Sequence, residues 1–301
     1  MKTTYMKNKN KRAMRWFLFF LLPTIIIYTL FWIVPIIITV LTSFTDWKGM
    51  SKLTTAGFVG LKNYISLLSD SILQISIKNN LIYGFVIVAV VPVISFVIAY
   101  VIEGFVKRKM FFRTVAYLPA IIPTIVTVLL WKWIYNPQYG LLNQLLELIG
   151  LKGLETGWIT NSTTALGAVS FTSIWKMVPV YFVLFLAGLQ SVPQALTEAA
   201  VLDGANRWQT IKNVTIPSMK RVISIVYTLI FIDVFRVFEL VYAMTKGGPG
   251  YYNTEMLLTY AYKTTFANAN ASYGMAITTT LIVLVTAVTG IQLKFSRRND
   301  D

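Results

Sequence analysis

The chain has no cysteine and no histidine. Disulfides, thiolate nucleophiles, imidazole bases and soft or imidazole metal sites are thereby excluded, and most familiar enzyme chemistries lose their central residue. Charge is scarce too: 13% of the 301 residues are charged and 56% are hydrophobic. That is too apolar for an average soluble domain, and a bilayer is the expected solvent. No G-x-x-x-x-G-K-[ST] phosphate loop occurs, so the sequence offers no evident cradle for ATP. A net charge of +15 raises nucleic acid as a partner, but Lys and Arg sit in short clusters between long apolar runs and form no continuous basic face. The charge reads as topological.

A helix needs about 20 apolar residues to cross a bilayer. Six stretches reach that length: 16–43, 79–102, 112–135, 164–189, 221–243 and 272–294. Lys7, Lys9, Lys11, Arg12 and Arg15 precede the first, as in a signal peptide. Its apolar run, however, is about twice the roughly 7–15 residues of a signal h-region, which predicts an uncleaved first helix. Seventeen Lys and Arg residues fall in the N-terminal segment, the second and fourth connections and the tail, against seven in the alternate connections. Cytoplasmic loops carry such an excess. The expectation is an all-α integral membrane protein with six transmembrane helices and both termini cytoplasmic. A cytoplasmic segment, 1–15, would precede a transmembrane domain, 16–301. Trp16, Trp47, Trp131, Trp133 and Trp158 lie near the ends of runs, where amphipathic rings settle at headgroup depth.

The cytoplasmic connection 191–217 is punctuated like two short helices with a tight corner. Ser191 with Gln194 has the spacing of a capping box, and Pro193 is tolerated in a first turn. Gly204 suits a left-handed helix end. Asn206 with Gln209 starts a second capped helix through Trp208, Ile211 and Val214, which Pro217 closes. A small, partly apolar helix with two alanines and a corner glycine fits closely into another protein's groove. The bland alternative is an idle amphipathic loop on the membrane surface.

Lys176, Asp233, Arg236 and Glu239 fall inside apolar runs, where charge is costly and usually faces a bundle interior or a wet cavity. The spacing of three places Asp233, Arg236 and Glu239 on one helical stripe, as a functional set or as a structural ion-pair stripe.

The run Glu198-Ala199-Ala200-Val201-Leu202-Asp203-Gly204-Ala205, with Ile216-Pro217 after it, resembles the EAA loop of ABC importer permeases. Three further segments are similar to the carbohydrate-type branch: Phe58-Val59-Gly60-Leu61-Lys62-Asn63-Tyr64, Leu118-Pro119 with Ile122-Pro123, and Gly247-Gly248-Pro249-Gly250. The resemblance implies the type I ABC importer permease fold. It also implies that Glu198, Ala199, Ala200, Asp203 and Gly204 couple the chain to a cytoplasmic ATPase dimer. Substrate contacts would come from the helices flanking this loop, with Ser173, Lys176 and Met177 opposite Ile230, Asp233 and Val234, alongside Arg236 and Glu239.

By the same resemblance the chain is a non-catalytic subunit forming half of a pathway for an oligosaccharide or related carbohydrate. It would bind no cofactor, with ATP and Mg on the partner ATPase. The other implied partners are a second, different permease and an extracytoplasmic solute-binding protein meeting the outer loops 44–77, 136–163 and 244–271. Membrane lipid surrounds it, and nucleic acid is not a partner. Lys176 and Arg236 would also suit an anionic ligand. The rival reading is an ion- or proton-coupled secondary transporter using Asp233 and Glu239, which leaves the loop from Glu198 to Pro217 without a purpose. A membrane hydrolase built on the same carboxylates lacks a recognisable nucleophile motif.

Overall fold

The computed structural model describes residues 17–298, without the side chains of Leu293 and 295–298. The cationic segment 1–15 and Trp16 lie outside the described residues. Among the described residues the regular structure is helical, apart from one isolated antiparallel bridge between Thr45 and Phe58. The chain forms two compact units. One holds the described residues up to Leu68 with Lys263–Thr279; the other holds Ser69–Tyr262 with the described residues from Thr280.

In the first unit, α1 (Phe17–Thr42) has the length and apolarity of a membrane span, and no residue of its apolar window is buried. A π-turn, Thr29–Ile33, interrupts it ahead of Pro35. The chain then turns back, and α2 (Lys62–Leu68) is tied to the end of α1. The Asn63 amide donates to the carbonyls of Ser43 (2.8 Å) and Thr45 (2.9 Å), and the Tyr64 and Ser43 hydroxyls are 2.6 Å apart. The family-like segment ending in Asn63-Tyr64 is therefore a backbone clasp.

The second unit is built on α3 (Ser71–Phe105), which Asp70 starts by accepting from the N–H groups of Ile72 (2.9 Å) and Leu73 (3.0 Å). Lipid is as apolar as leucine, so membrane helices associate through small and polar residues. The pattern in α3 follows that rule: Leu81, Phe85 and Val97 are exposed, while Ser76, Asn79, Asn80, Gly84 and Ser95 are buried. α3 packs along α7 (Ala165–Gln190), where the Ser95 hydroxyl donates to the carbonyl of Val178 at 3.0 Å.

Among the described residues four helices are long and apolar enough to cross a membrane: α1, α3, α7 and α13 (Ala271–Arg298, apolar through Gln292). The stretch 112–135 is not one straight span. α4 (Lys109–Ile121) and α5 (Thr124–Ile134) meet at a 92° bend, because Pro123 has no N–H with which to continue the ladder. A short helix, α6 (Leu141–Leu148), follows.

The stretch 221–243 is also divided. α10 (Lys220–Phe235) ends with Arg236 as its cap, and α11 (Glu239–Thr245) starts anew after Phe238. The expected Asp233–Arg236–Glu239 stripe thus straddles a break. Among the described residues no ion pair joins the three.

Trp131 departs from the headgroup-anchor reading. It is buried, with ring centroids of Tyr135, Phe171 and Trp175 at 5.1, 5.4 and 5.7 Å. An aromatic cluster between α5 and α7 claims it.

Candidate functional site

Both breaks open onto one cavity of about 370 Å³ inside the second unit. Irregular backbone at membrane depth is tolerated where it is buried in protein or lines a cavity, and here the two interruptions meet. Thr124, the first residue of α5, lines one side. Arg236, Val237, Phe238 and Glu239, which carry the break between α10 and α11, line another. Ser173, Lys176 and Met177 of α7, Tyr83 of α3 and Asp233 of α10 complete the polar wall.

Six of the eight expected pathway residues, namely Ser173, Lys176, Met177, Asp233, Arg236 and Glu239, therefore share this cavity. Ile230 and Val234 do not line it. Both are buried, and Val234 faces α3. A Cβ on Gly84 would come within 2.7 Å of the Val234 Cγ1, and the Asn80 amide donates to the Val234 carbonyl at 3.0 Å. Val234 is thus a packing contact of α10 against α3, and Ile230 is fully buried.

The charged groups have separate partners. The Tyr181 hydroxyl donates to Asp233 Oδ2 at 2.7 Å. The Lys176 ammonium donates to the carbonyls of Pro119 (3.3 Å), Ala120 (3.4 Å) and Ile122 at the end of α4. An ammonium has three hydrogens, so Lys176 is committed to backbone, and Arg236 is the remaining cation in the lining. Asp233 and Glu239 share the lining with it, so the cavity presents carboxylate acceptors beside one guanidinium donor. Phe238 adds an aromatic wall, held against Tyr242 and Tyr262 with centroids at 5.3 and 5.0 Å.

Asn79 and Asn80 escaped sequence reasoning. The Asn79 amide donates to the carbonyls of Tyr252 (2.9 Å) and Glu255 (3.0 Å), and Asn80 Oδ1 accepts from the Leu257 N–H at 3.0 Å. They fasten the segment after Gly247-Gly248-Pro249-Gly250 to α3. The available signal was two adjacent amides at the start of an otherwise apolar run.

A second surface lies on the connection after α7. α8 (Gln194–Leu202) starts from Pro193 with no side-chain cap, and the Ser191 hydroxyl bonds back to the Gly188 carbonyl at 2.7 Å. Ser191 thus closes α7 instead of opening α8, because it directly follows the last helical turn. Gly204 takes φ +82°. The Gly204 N–H reaches the Val201 carbonyl (3.0 Å) and the Ala205 N–H reaches the Ala200 carbonyl (2.9 Å), a Schellman ending.

Asn206 and Gln209 form the reciprocal capping box of α9 (Arg207–Thr210), at 2.9 and 2.7 Å. Pro217 does not close the second helix. It sits in the first turn of Ile216–Ser218, where a proline is tolerated, and the chain runs on into α10. The resulting corner exposes Leu202 (88%) and Trp208 (70%), while Glu198 accepts from the Gln194 amide at 2.8 Å. The Arg207 guanidinium lies 4.7 Å above the Phe105 ring, which anchors the corner to the end of α3.

Comparison with known proteins agrees with this architecture. The family described as "Binding-protein-dependent transport system inner membrane component" matches residues 93–301. The chain is 36% identical to the probable ABC transporter permease protein YurN of Bacillus subtilis, over 92% of this chain and 94% of that one. It is 31% identical to the trehalose/maltose transport system permease protein MalF of Thermococcus litoralis, over 93% of each. A solved bacterial alginate ABC transporter, in complex with an alginate pentasaccharide-bound periplasmic protein, superposes with a TM-score of 0.84 at 23% identity, covering 96% of both chains. The chain belongs to the binding-protein-dependent transport system inner membrane components, as a multi-pass permease of an ABC importer in the cytoplasmic membrane.

Proposed function

We propose that this permease forms half of the translocation pathway for an oligosaccharide or related carbohydrate, with the cavity between the two helix breaks as its substrate-facing part. The observation that carries the reading is the meeting of both interrupted membrane segments at one polar cavity. Discontinuous helices supply cavity-lining backbone and side chains in the middle of transporters. Asp233 and Glu239 offer carboxylate acceptors for sugar hydroxyls, Arg236 offers a donor, and Phe238 offers an aromatic face. Trehalose and maltose in the name of one relative, and alginate in that of the solved importer, support the carbohydrate class.

The chain itself hydrolyses nothing and binds no cofactor on this reading. ATP and Mg belong to a separate cytoplasmic ATPase dimer, received by the corner that carries Glu198, Ala199, Ala200, Asp203 and Gly204. The bilayer is crossed six times with both termini cytoplasmic, the divided stretch 221–243 included. A second, different permease completes the pathway, and an extracytoplasmic binding protein delivers substrate to the outer loops.

The test is co-purification in detergent with candidate ATPase subunits, comparing the native chain with Glu198→Arg and Gly204→Arg. The native chain should retain the ATPase, and both substitutions should weaken retention or uncouple ATP turnover. A chain that transports with no ATPase present belongs instead to the ion-coupled class, with Asp233 and Glu239 as its relay.

A further inference from the structure

The bend between α4 and α5 leaves a specific deficit in hydrogen bonding. In an unbroken helix the Pro119 carbonyl would accept from residue 123, but Pro123 has no N–H. The Ala120 and Ile122 carbonyls lie at the end of α4, where intrahelical donors run out. Inside a bilayer, a backbone group left without a partner is costly. Lys176, entering from α7, donates to these three carbonyls.

We propose that Lys176 is a positioning residue: its ammonium replaces the donors that Pro123 removes, and so holds the 92° break that sets Thr124 in the cavity wall. It acts on the pathway through α4 and α5. This goes beyond the transport reading and is tested without a substrate, so either idea can fail alone.

The natural chain has no cysteine, so two can be introduced cleanly. Val115→Cys on α4 and Leu129→Cys on α5, both at exposed positions, carry nitroxide labels on the full chain in lipid nanodiscs. Electron–electron distance measurements then compare the native residue at 176 with Lys176→Met and Lys176→Arg. The native chain should give one narrow distance distribution. Lys176→Met should broaden it and shift it, and Lys176→Arg, which keeps charge and donors, should restore it.

An unchanged distribution in Lys176→Met overturns the proposal. So does a change that arginine does not reverse, because the effect then belongs to packing. If Lys176→Met does not yield folded chain, Pro123→Ala is added to it. That substitution returns an N–H to the Pro119 carbonyl, and recovery of folded protein is the expected result. No recovery overturns the proposal.

Discussion

A methyl group at Gly204 would meet nothing within 4 Å, yet the backbone there has φ +82°. The cost of a side chain is therefore conformational, about 1–2 kcal/mol for an L-residue held left-handed. Gly204→Ala should loosen the Schellman ending and speed amide exchange at Ala205 by roughly tenfold or more, whereas Gly204→Asn, which tolerates this region, should do so far less. Equal exchange in all three chains would remove the angle as the cause. Buried Asn80 works differently, since its side chain serves two backbone groups at once, the Val234 carbonyl and the Leu257 N–H. Asn80→Leu should lower stability by about 1–3 kcal/mol for each group left without a partner. Thermal unfolding in detergent reads this, and a loss below about 0.5 kcal/mol would show that both groups find other partners.

At the scale of elements, the approach of α3 to α10 depends on Gly84. A Cβ at that position lies 2.7 Å from the Val234 Cγ1, inside any real contact. Gly84→Ala should therefore cost about 1–3 kcal/mol through forced separation of the helices. Val234→Ala removes the obstructing methyls, so the double substitution should be more stable than Gly84→Ala alone. Strictly additive losses in that cycle would mean that the two residues do not meet. The same pairing of α3 and α10 explains why Val234 is packing and Asp233 lines the cavity: adjacent residues on a helix point about 100° apart.

At the scale of the whole molecule, membership of an ABC importer family sets the expected energy source. The carboxylates lining the cavity are Asp233, which accepts from Tyr181, and Glu239, at the start of α11. Uptake into proteoliposomes by the assembled importer should require enclosed ATP and persist when an ionophore collapses the proton gradient. Asp233→Asn should lower that uptake without making it independent of ATP. Uptake that follows the gradient and ignores ATP would instead assign the carboxylates to proton relay.

Sequence alone determined the solvent, the helical class, and the corner at Gly204 with its capping box at Asn206. Each is a local property: hydropathy over one span length, or a backbone angle and a cap within four residues. Charge in an apolar run also singled out Lys176, Asp233, Arg236 and Glu239, which line one cavity. What those groups do was decided only in three dimensions. Lys176 finds its carbonyls more than 50 residues away, and Asp233 finds Tyr181 on another helix. The stripe expected of Asp233, Arg236 and Glu239 dissolved because helical spacing holds only while the helix continues, and the chain breaks at Arg236. Trp131 became a core residue because α7 brings Phe171 and Trp175 to it. Periodicity shows which residues share a face, but what that face meets depends on bends and crossings whose partners lie far along the chain.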